Sequence, residues 1–413
     1  MMNIALHRAS IYRMCWRAGA MPLFVVLLVL TFLSIPAAAQ TYSVLYNFTG
    51  GTDGANPYAS VIRDVAGNMY GTTAYGGGGF DKCDVFLCGV VFKVDENGQE
   101  TVLHTFTGRA DGARPYGGVI RDSVGNLYGT TFGGGDQACY AGQGCGVVFK
   151  ISNTGRFNVL HTFHGADGRR PYGGVIRDSD GNLYGTTTEG GADIYGVVFK
   201  VSNTGRFTLL HRFHGADGAH PYAGLIRDTA GNLYGTTWEG GGSGCNGYGC
   251  GVVFKLSSTG KFTVLHRFHG TDGASPYASL IRDTAGNLFG TTVAGGAYYG
   301  YGVVFKLSST GKFTVLHRFS GDGWYPFAGV IRDRDGNLYG TTEEGGSEPC
   351  DSGCGTIFKL SKANKLTVLH TFRRAEDGAY PYAGLVRDSD GNLYGTASAG
   401  GANGGGVVFK LTP

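Results

Sequence analysis

Seven copies of one four-phrase sentence run through this 413-residue chain, and no other feature limits its possible folds as sharply. The phrase GNLYGTT, or a near variant, begins at Gly67, Gly125, Gly181, Gly231, Gly286, Gly336 and Gly391. GVVFK or a variant begins at Gly89, Gly146, Gly196, Gly251, Gly302, Gly355 and Gly406. A third phrase, TVLHxF, ends at Phe48, Phe106, Phe163, Phe213, Phe268, Phe319 and Phe372. The fourth, [AG]G[VL]IRD, ends at Asp64, Asp122, Asp178, Asp228, Asp283, Asp333 and Asp388. A period of 50 to 58 residues points to a solenoid, a propeller or an array.

Each phrase is a short run of Val, Leu, Ile, Phe, Tyr and Thr bounded by Gly, Asp, Asn and Ser, which is a strand and hairpin signal. In the third copy the expected strands are Gly174–Asp178, Leu183–Thr187, Val197–Val201 and Thr208–Phe213. Ser179-Asp180-Gly181-Asn182 and Ser202-Asn203-Thr204-Gly205 read as type I turns closed by a left-handed glycine. Four antiparallel strands repeated seven times give an all-β, seven-bladed β-propeller, with residues 40–413 as one domain. The phase adds a closure rule. The first repeat opens with an outermost strand, Tyr42–Phe48, and the last ends with a third strand, Val407–Leu411. These leftovers complete one blade, and a closed ring exposes no sheet edge.

Residues 1–39 lie outside the repeat and read as a secretory signal. Arg8, Arg13 and Arg17 precede the apolar run from Met21 to Ile35, and Ala37-Ala38-Ala39 supplies a cleavage site. The run is 15 residues, short of the ~20 of a spanning helix; an uncleaved anchor is the rival reading. Without those three arginines the chain has 31 basic and 31 acidic residues. No basic stripe remains for nucleic acid. The expected product is an exported monomer, periplasmic or extracellular, without a membrane span in its mature part.

Eight cysteines remain after Cys15, in the close pairs Cys83/Cys88, Cys139/Cys145, Cys245/Cys250 and Cys350/Cys354. Each pair sits between a GTT phrase and the next GVVF or GTIF phrase. Those linkers run to 12–15 residues, whereas the linkers lacking cysteine have 8 or 9. In an exported chain an even count reads as local disulfides, each contributing at most ~2 kcal/mol for loops so small. A structural zinc site would need four cysteines converging from different blades.

The pattern GNLYGTT…GG…GVVFK…G..TVLH.F…DG..PY over Thr41–Pro413 resembles the GloVer tandem-repeat family of exported bacterial proteins (choice-of-anchor type). The resemblance implies a propeller at the cell exterior, with no activity attached to it. Members carry surface anchors after the repeats; here Leu411-Thr412-Pro413 follows the last repeat with no anchor sequence. Arg332–Gly346, RDRDGNLYGTTEEGG, is also similar to the repeats of sensor-type periplasmic propellers.

Residues present in every copy are poor candidates for a single site, because every blade needs the same turns and packing. The Arg63/Asp64 pair and its equivalents are expected to pair locally across the hairpin. The aspartate of each DG phrase, such as Asp53 or Asp167, reads as an Asx-turn. Asp-x-Asp-Gly-Asn at Asp178, Asp333 and Asp388 misses the spacing of a calcium loop. His164, His214 and His269 lie on outermost strands, about 17 Å apart for strands spaced ~4.8 Å, too far to share a metal. GxSxG, HExxH and phosphate-loop motifs are missing. No catalytic residue, metal site or cofactor is therefore assigned.

Differences between copies carry the functional signal. The long GG/Cys loops and the DGxxPY loops emerge on one face, and loops held by a rigid scaffold favour binding. Trp238, Glu239, Tyr248, Tyr298, Tyr299, Trp324 and Tyr325 gather there in blades 4 to 6, with Glu343 and Glu344 beside them. They are the candidate ligand-binding residues, for a carbohydrate or protein ligand. The competing account is that these rings cover glycines and pack between blades. The function read from sequence is a non-catalytic binding module; an extracellular enzyme acting on polysaccharide or peptide at the channel mouth, or a structural envelope component, are the alternatives.

The cysteine spacing generates the first prediction. Non-reducing peptide mapping should find four nearest-neighbour links; a crossed link such as Cys88 with Cys139 would contradict the reading.

Overall fold

In each GNLYGTT strand the glycine faces the phenylalanine of GVVFK. Gly185 pairs with Phe199, and a Cβ at Gly185 would stand 2.6 Å from that ring. The glycine is therefore a space that the ring fills. Phe92, Phe149, Phe199, Phe254, Phe305, Phe358 and Phe409 all occupy such spaces and are fully buried. Onto each comes the edge of the outer-strand phenylalanine of the preceding blade. The seven contacts run from Phe48–Phe92 at 5.0 Å through Phe163–Phe199 at 5.2 Å to Phe372–Phe409 at 5.5 Å.

These contacts join seven four-stranded antiparallel sheets. The computed structural model describes residues 40–78, 88–296, 300–346 and 349–413. Blade 1 comprises Ile62–Arg63, Met69–Thr73, Val90–Val94 and Glu100–Thr105, and blades 2 to 6 repeat that order. Blade 7 is Val386–Arg387, Leu393–Ala397, Val407–Thr412 and, as its outer strand, Thr41–Asn47. Tyr42 pairs with Leu411 and Asn47 with Val407. Residues 1–39, including the signal-like segment, lie outside the described residues, as does Cys83. Among the described residues no helix is long and apolar enough to cross a membrane.

The innermost strand is shorter than its phrase suggests: in blade 3 it is only Ile176–Arg177. The reason is crowding at the axis. A Cβ on Gly117 would lie 2.6 Å from the backbone of Gly174 in the next blade, so the [AG]G residues wedge backbone against backbone instead of pairing. The threonines of the GTT phrase then tie blade to blade. Thr72 donates its hydroxyl to the Gly117 carbonyl, Thr186 to Ala223, and Thr396 closes the ring onto Ala59.

Two further devices differ from the sequence expectation. The arginine of IRD does not pair with its own aspartate. Asp64 accepts hydrogen bonds from Asn68 and Tyr70, while Arg63 lies over the ring of Tyr394 in the neighbouring blade, 5.0 Å from its centre. Arg121 lies likewise over Tyr70. A cation over an aromatic face crosses the blade boundary, which a local ion pair would not do. The outer-strand histidine also crosses. A bulge after Val198/His211 turns His211 toward the next blade. There it stacks on Phe262 at 3.8 Å and approaches Asp217 at 2.9 Å. His104, His161, His266 and His370 make the same sandwich, the last against Tyr42 of the N-terminal strand. The DG aspartates thus serve a histidine as well as their own turn. Burial opposes ionisation of Asp167, yet hydrogen bonds from His161 and the His164 N–H hold its carboxyl below the usual range.

Two seams depart from this rule. Between blades 5 and 6, His317 still approaches Asp322 at 2.8 Å, but Leu366 stands at the position of the stacked ring. Between blades 7 and 1, Tyr46 stands where the histidine would be and Glu100 where the stacked ring would be. Tyr46 donates to Asp53 at 2.9 Å, and Glu100 Oε1 is buried without a hydrogen-bond partner. Burial, then the charge of Asp53, raises the Glu100 carboxyl to about 7 from an ordinary 4.5.

An acid whose folded pKa is raised keeps its proton in the native state while the unfolded chain ionises. Stability should therefore fall as pH rises from about 4.5 to about 7 and level off above that. Thermal unfolding across this range should show the slope in the parent protein and lose it in Glu100→Gln; an unchanged slope in the variant would refute the assignment.

Candidate binding site at the loop-rich mouth

Each DGxxPY loop pairs with the GG loop of its own blade, through single bridges such as Ala113–Gly133 and Arg169–Glu189. The tyrosine of PY is thereby aimed at the axis. Tyr58, Tyr116, Tyr172, Tyr222, Tyr277, Phe327 and Tyr382 form a closed aromatic ring whose neighbours lie 4.6–5.5 Å apart. Tyr172 also touches Tyr277 at 5.4 Å, so the ring narrows into a floor over the central channel. Burial raises the hydroxyl pKa of Tyr116, Tyr172 and Tyr382. They are neutral donors and acceptors at any physiological pH.

Around this floor stands the residue that precedes the proline. In all seven blades it has a left-handed backbone: Asn56, Arg114, Arg170, His220, Ser275, Tyr325 and Tyr380, with φ between 53° and 58°. None is glycine, and the residue before a proline is ordinarily pushed to extended conformations. Non-glycine residues at such angles cost about 1–3 kcal/mol and persist only where the surroundings fix them. The fixing groups are visible. The Arg114 N–H donates to the Cys88 carbonyl at 3.0 Å, and its own carbonyl accepts from the Phe132 N–H at 3.0 Å. Arg170 repeats this with Cys145 and Thr188, and Ser275 with Cys250 and Val293. The second cysteine of each pair thus holds the left-handed residue of the following blade.

Cysteine pairs Cys139–Cys145, Cys245–Cys250 and Cys350–Cys354 are disulfides, with Cα separations of 5.6, 5.3 and 5.2 Å; Cys88 is also disulfide-bonded.

Over blades 7 and 1 to 4 the floor and the wall enclose an open cavity of about 470 Å³. Tyr58, Tyr116, Tyr172, Tyr222 and Tyr382 line it, together with Arg114, Phe132, Arg170 and Glu189. Glu189 bonds the Arg169 Nε at 2.8 Å and the Arg170 Nη1 at 2.7 Å. Arg170 is further sandwiched between Phe132 and Tyr140, its guanidinium 3.7 Å from the Tyr140 ring centre. Across the mouth, Glu343 accepts from the Tyr382 hydroxyl; burial, partly offset by that bond, raises its carboxyl.

The residues singled out from sequence divide. Trp238 is half-buried and packs edge-on to Tyr222 and Tyr277 at 5.7 and 5.6 Å, part of the floor. Glu239 lies 3.8 Å from His220 in the same wall. Tyr325 is a wall residue. Trp324 stacks instead on Tyr301 at 4.6 Å, and Tyr248 is 71% exposed; no ring contact joins either to Trp238 among the described residues. Tyr298 and Tyr299 lie outside the described residues. Arg114, Phe132, Arg170 and the tyrosine floor were missed. Aligning the seven copies shows their signal, a position before the invariant proline that reads Asn, Arg, Arg, His, Ser, Tyr, Tyr.

A family model described as Gloeobacter/Verrucomicrobia repeat matches residues 31–139, 84–249 and 244–413. No curated protein matches in sequence. Among solved structures, the extracellular domain assigned to the one-component system BT4673 of B. thetaiotaomicron superposes with a TM-score of 0.54 at 13% identity, over 90% of this chain and 40% of that one. The extracellular domain assigned to the hybrid two-component system BT3049 of B. thetaiotaomicron gives 0.52 at 12%, over 90% and 41%. The chain thus spans about two fifths of either structure's length, and identities so low show the fold alone.

The strained wall can be tested at a position far from the cavity. Ser275→Val should lower stability by at least about 1 kcal/mol because a β-branched residue resists φ > 0, while Ser275→Gly should not destabilise. Equal losses in chemical denaturation would show that the angle carries no strain.

Proposed function

The chain belongs to the Gloeobacter/Verrucomicrobia repeat family, and from that premise we propose that it is an exported propeller whose work is recognition at the loop-rich mouth. The observation that carries this reading is the wall: seven equivalent left-handed backbones bear Asn, Arg, Arg, His, Ser, Tyr and Tyr. A scaffold that keeps a strained backbone in every blade while changing its side chain is presenting a varied surface. The floor supplies aromatic faces and phenol hydroxyls, which grip a ligand with few rotatable bonds. Export is supported by the signal-like residues 1–39 and by the disulfides, and places the protein in the periplasm or outside the cell. The two B. thetaiotaomicron structures, extracellular domains themselves, are compatible with that placement.

Enzymatic action is the second reading, and Glu343 is what favours it: a half-buried carboxyl whose pKa burial raises, accepting a hydrogen bond from Tyr382. A glycosidase needs a second carboxylate facing it, and Glu189, the carboxylate that lines the cavity, is committed to Arg169 and Arg170. Binding is therefore the stronger account.

Arrays of glycans and of peptides should give binders for the intact protein, and Tyr58→Ala and Tyr222→Ala should each weaken them at least tenfold with the fold retained. Binders that tolerate both variants would move recognition elsewhere on the surface. Hydrolysis of a hit, abolished by Glu343→Gln, would establish the second reading.

A further inference from the structure

Arg114 and Arg170 both line the cavity, and their circumstances differ. Arg170 has its charge answered by Glu189 at 2.7 Å and its faces covered by Phe132 and Tyr140. Arg114 is half-buried and, among the described residues, has no ion-pair partner. Its charge is felt by the neighbouring Tyr116, whose hydroxyl pKa it acts to lower against the larger effect of burial. The cavity therefore holds two cations against one carboxylate, and one guanidinium fork is free to take a planar anion with two hydrogen bonds.

The rest of the lining says what the anion is attached to. Tyr116 and Tyr172 lie face to face at 4.6 Å with an interplanar angle of 8°, a flat apolar pair. The hydroxyls of Tyr58 and Tyr222 bond to no protein group among the described residues. A sugar ring offers hydroxyls to such phenols and C–H groups to the aromatic surface that the stacked pair leaves open. A peptide added as a strand would need a free backbone edge, and the loops here spend their backbone groups on each other, as in Arg114 with Cys88 and Phe132. We propose that the cavity binds a saccharide carrying a carboxylate, a uronic acid unit, with the carboxylate on Arg114 and the sugar ring beside Tyr58, Tyr116 and Tyr222. This rests on the recognition role given to the mouth and names the class of ligand it takes.

Calorimetry of the full chain with α-1,4-linked trigalacturonate, its methyl ester and a hyaluronan tetrasaccharide tests the proposal. At least one acidic saccharide should bind, esterification should weaken trigalacturonate at least tenfold, and added salt should weaken it too. Arg114→Gln, which makes the same demand on the backbone, should cost at least tenfold; Arg114→Lys should recover part of that loss. Near-ultraviolet circular dichroism reports whether the variants keep the fold. Equal affinity for acid and ester, indifference to Arg114→Gln in a folded variant, or no binding of either acidic saccharide would overturn it. If a neutral glycan or a carboxyl-terminal peptide instead binds and is lost in Tyr222→Ala, the mouth keeps its recognition role and only the ligand class falls. A ligand indifferent to all of these variants would remove both.

Discussion

A phenylalanine at the end of each outer strand sets its edge on the phenylalanine of the next blade, over a glycine that leaves the space. This contact decides the arrangement of everything else. Removing a buried phenylalanine ring typically costs 3–5 kcal/mol, whereas a single hydrogen bond contributes about 1 kcal/mol. The threonine, arginine and histidine links between blades therefore align the sheets, and the aromatic contact holds them. Because Phe48 comes from the N-terminal strand and Phe372 packs on Phe409 of the last blade, the same contact closes the ring. The stacked histidine pair beside it is less constant: Leu366 replaces the ring against His317, and at the closing seam Tyr46 and Glu100 replace both members.

A scaffold so redundant can hold strain. The seven pre-proline residues each carry a left-handed backbone, and they are held by hydrogen bonds from both flanking segments. Four of those segments contain a cysteine pair, and each is among the longer linkers of the chain. The disulfides thus act less on the global fold than on the rigidity of the mouth, since they clamp the carbonyls that hold Arg114, Arg170, Ser275 and Tyr380. Rigidity there lowers the ordering cost of taking a ligand.

The repeated phrases were legible because each has one physical reading: alternating apolar runs, turn glycines, and a phase that demands closure. The functional mouth was less legible for reasons that can be named. Pre-proline residues favour extended backbones, so nothing in Arg114-Pro115 or Arg170-Pro171 announces a left-handed turn. Rarity drew attention to Trp238 and Trp324, yet only Trp238 belongs to the floor, and Trp324 covers Tyr301. Arg114 and Phe132, both in blade 2, frame the cavity with Arg170 of blade 3, which only the folded geometry brings together. Arg63 and Asp64, adjacent in sequence, part company because the guanidinium gains more by lying on Tyr394 across the blade boundary.

The central claim is that repeated residues build the ring and its aromatic floor, and that the varied residues of the wall around that floor choose the ligand. Hydrogen–deuterium exchange at saturation with trigalacturonate or the hyaluronan tetrasaccharide, whichever binds, tests this directly. Protection should concentrate in peptides covering residues 112–116 and 168–172, with the tight-turn face unchanged. Protection confined to the tight turns around Gly67 and Gly125, or to the outer strands, would contradict it.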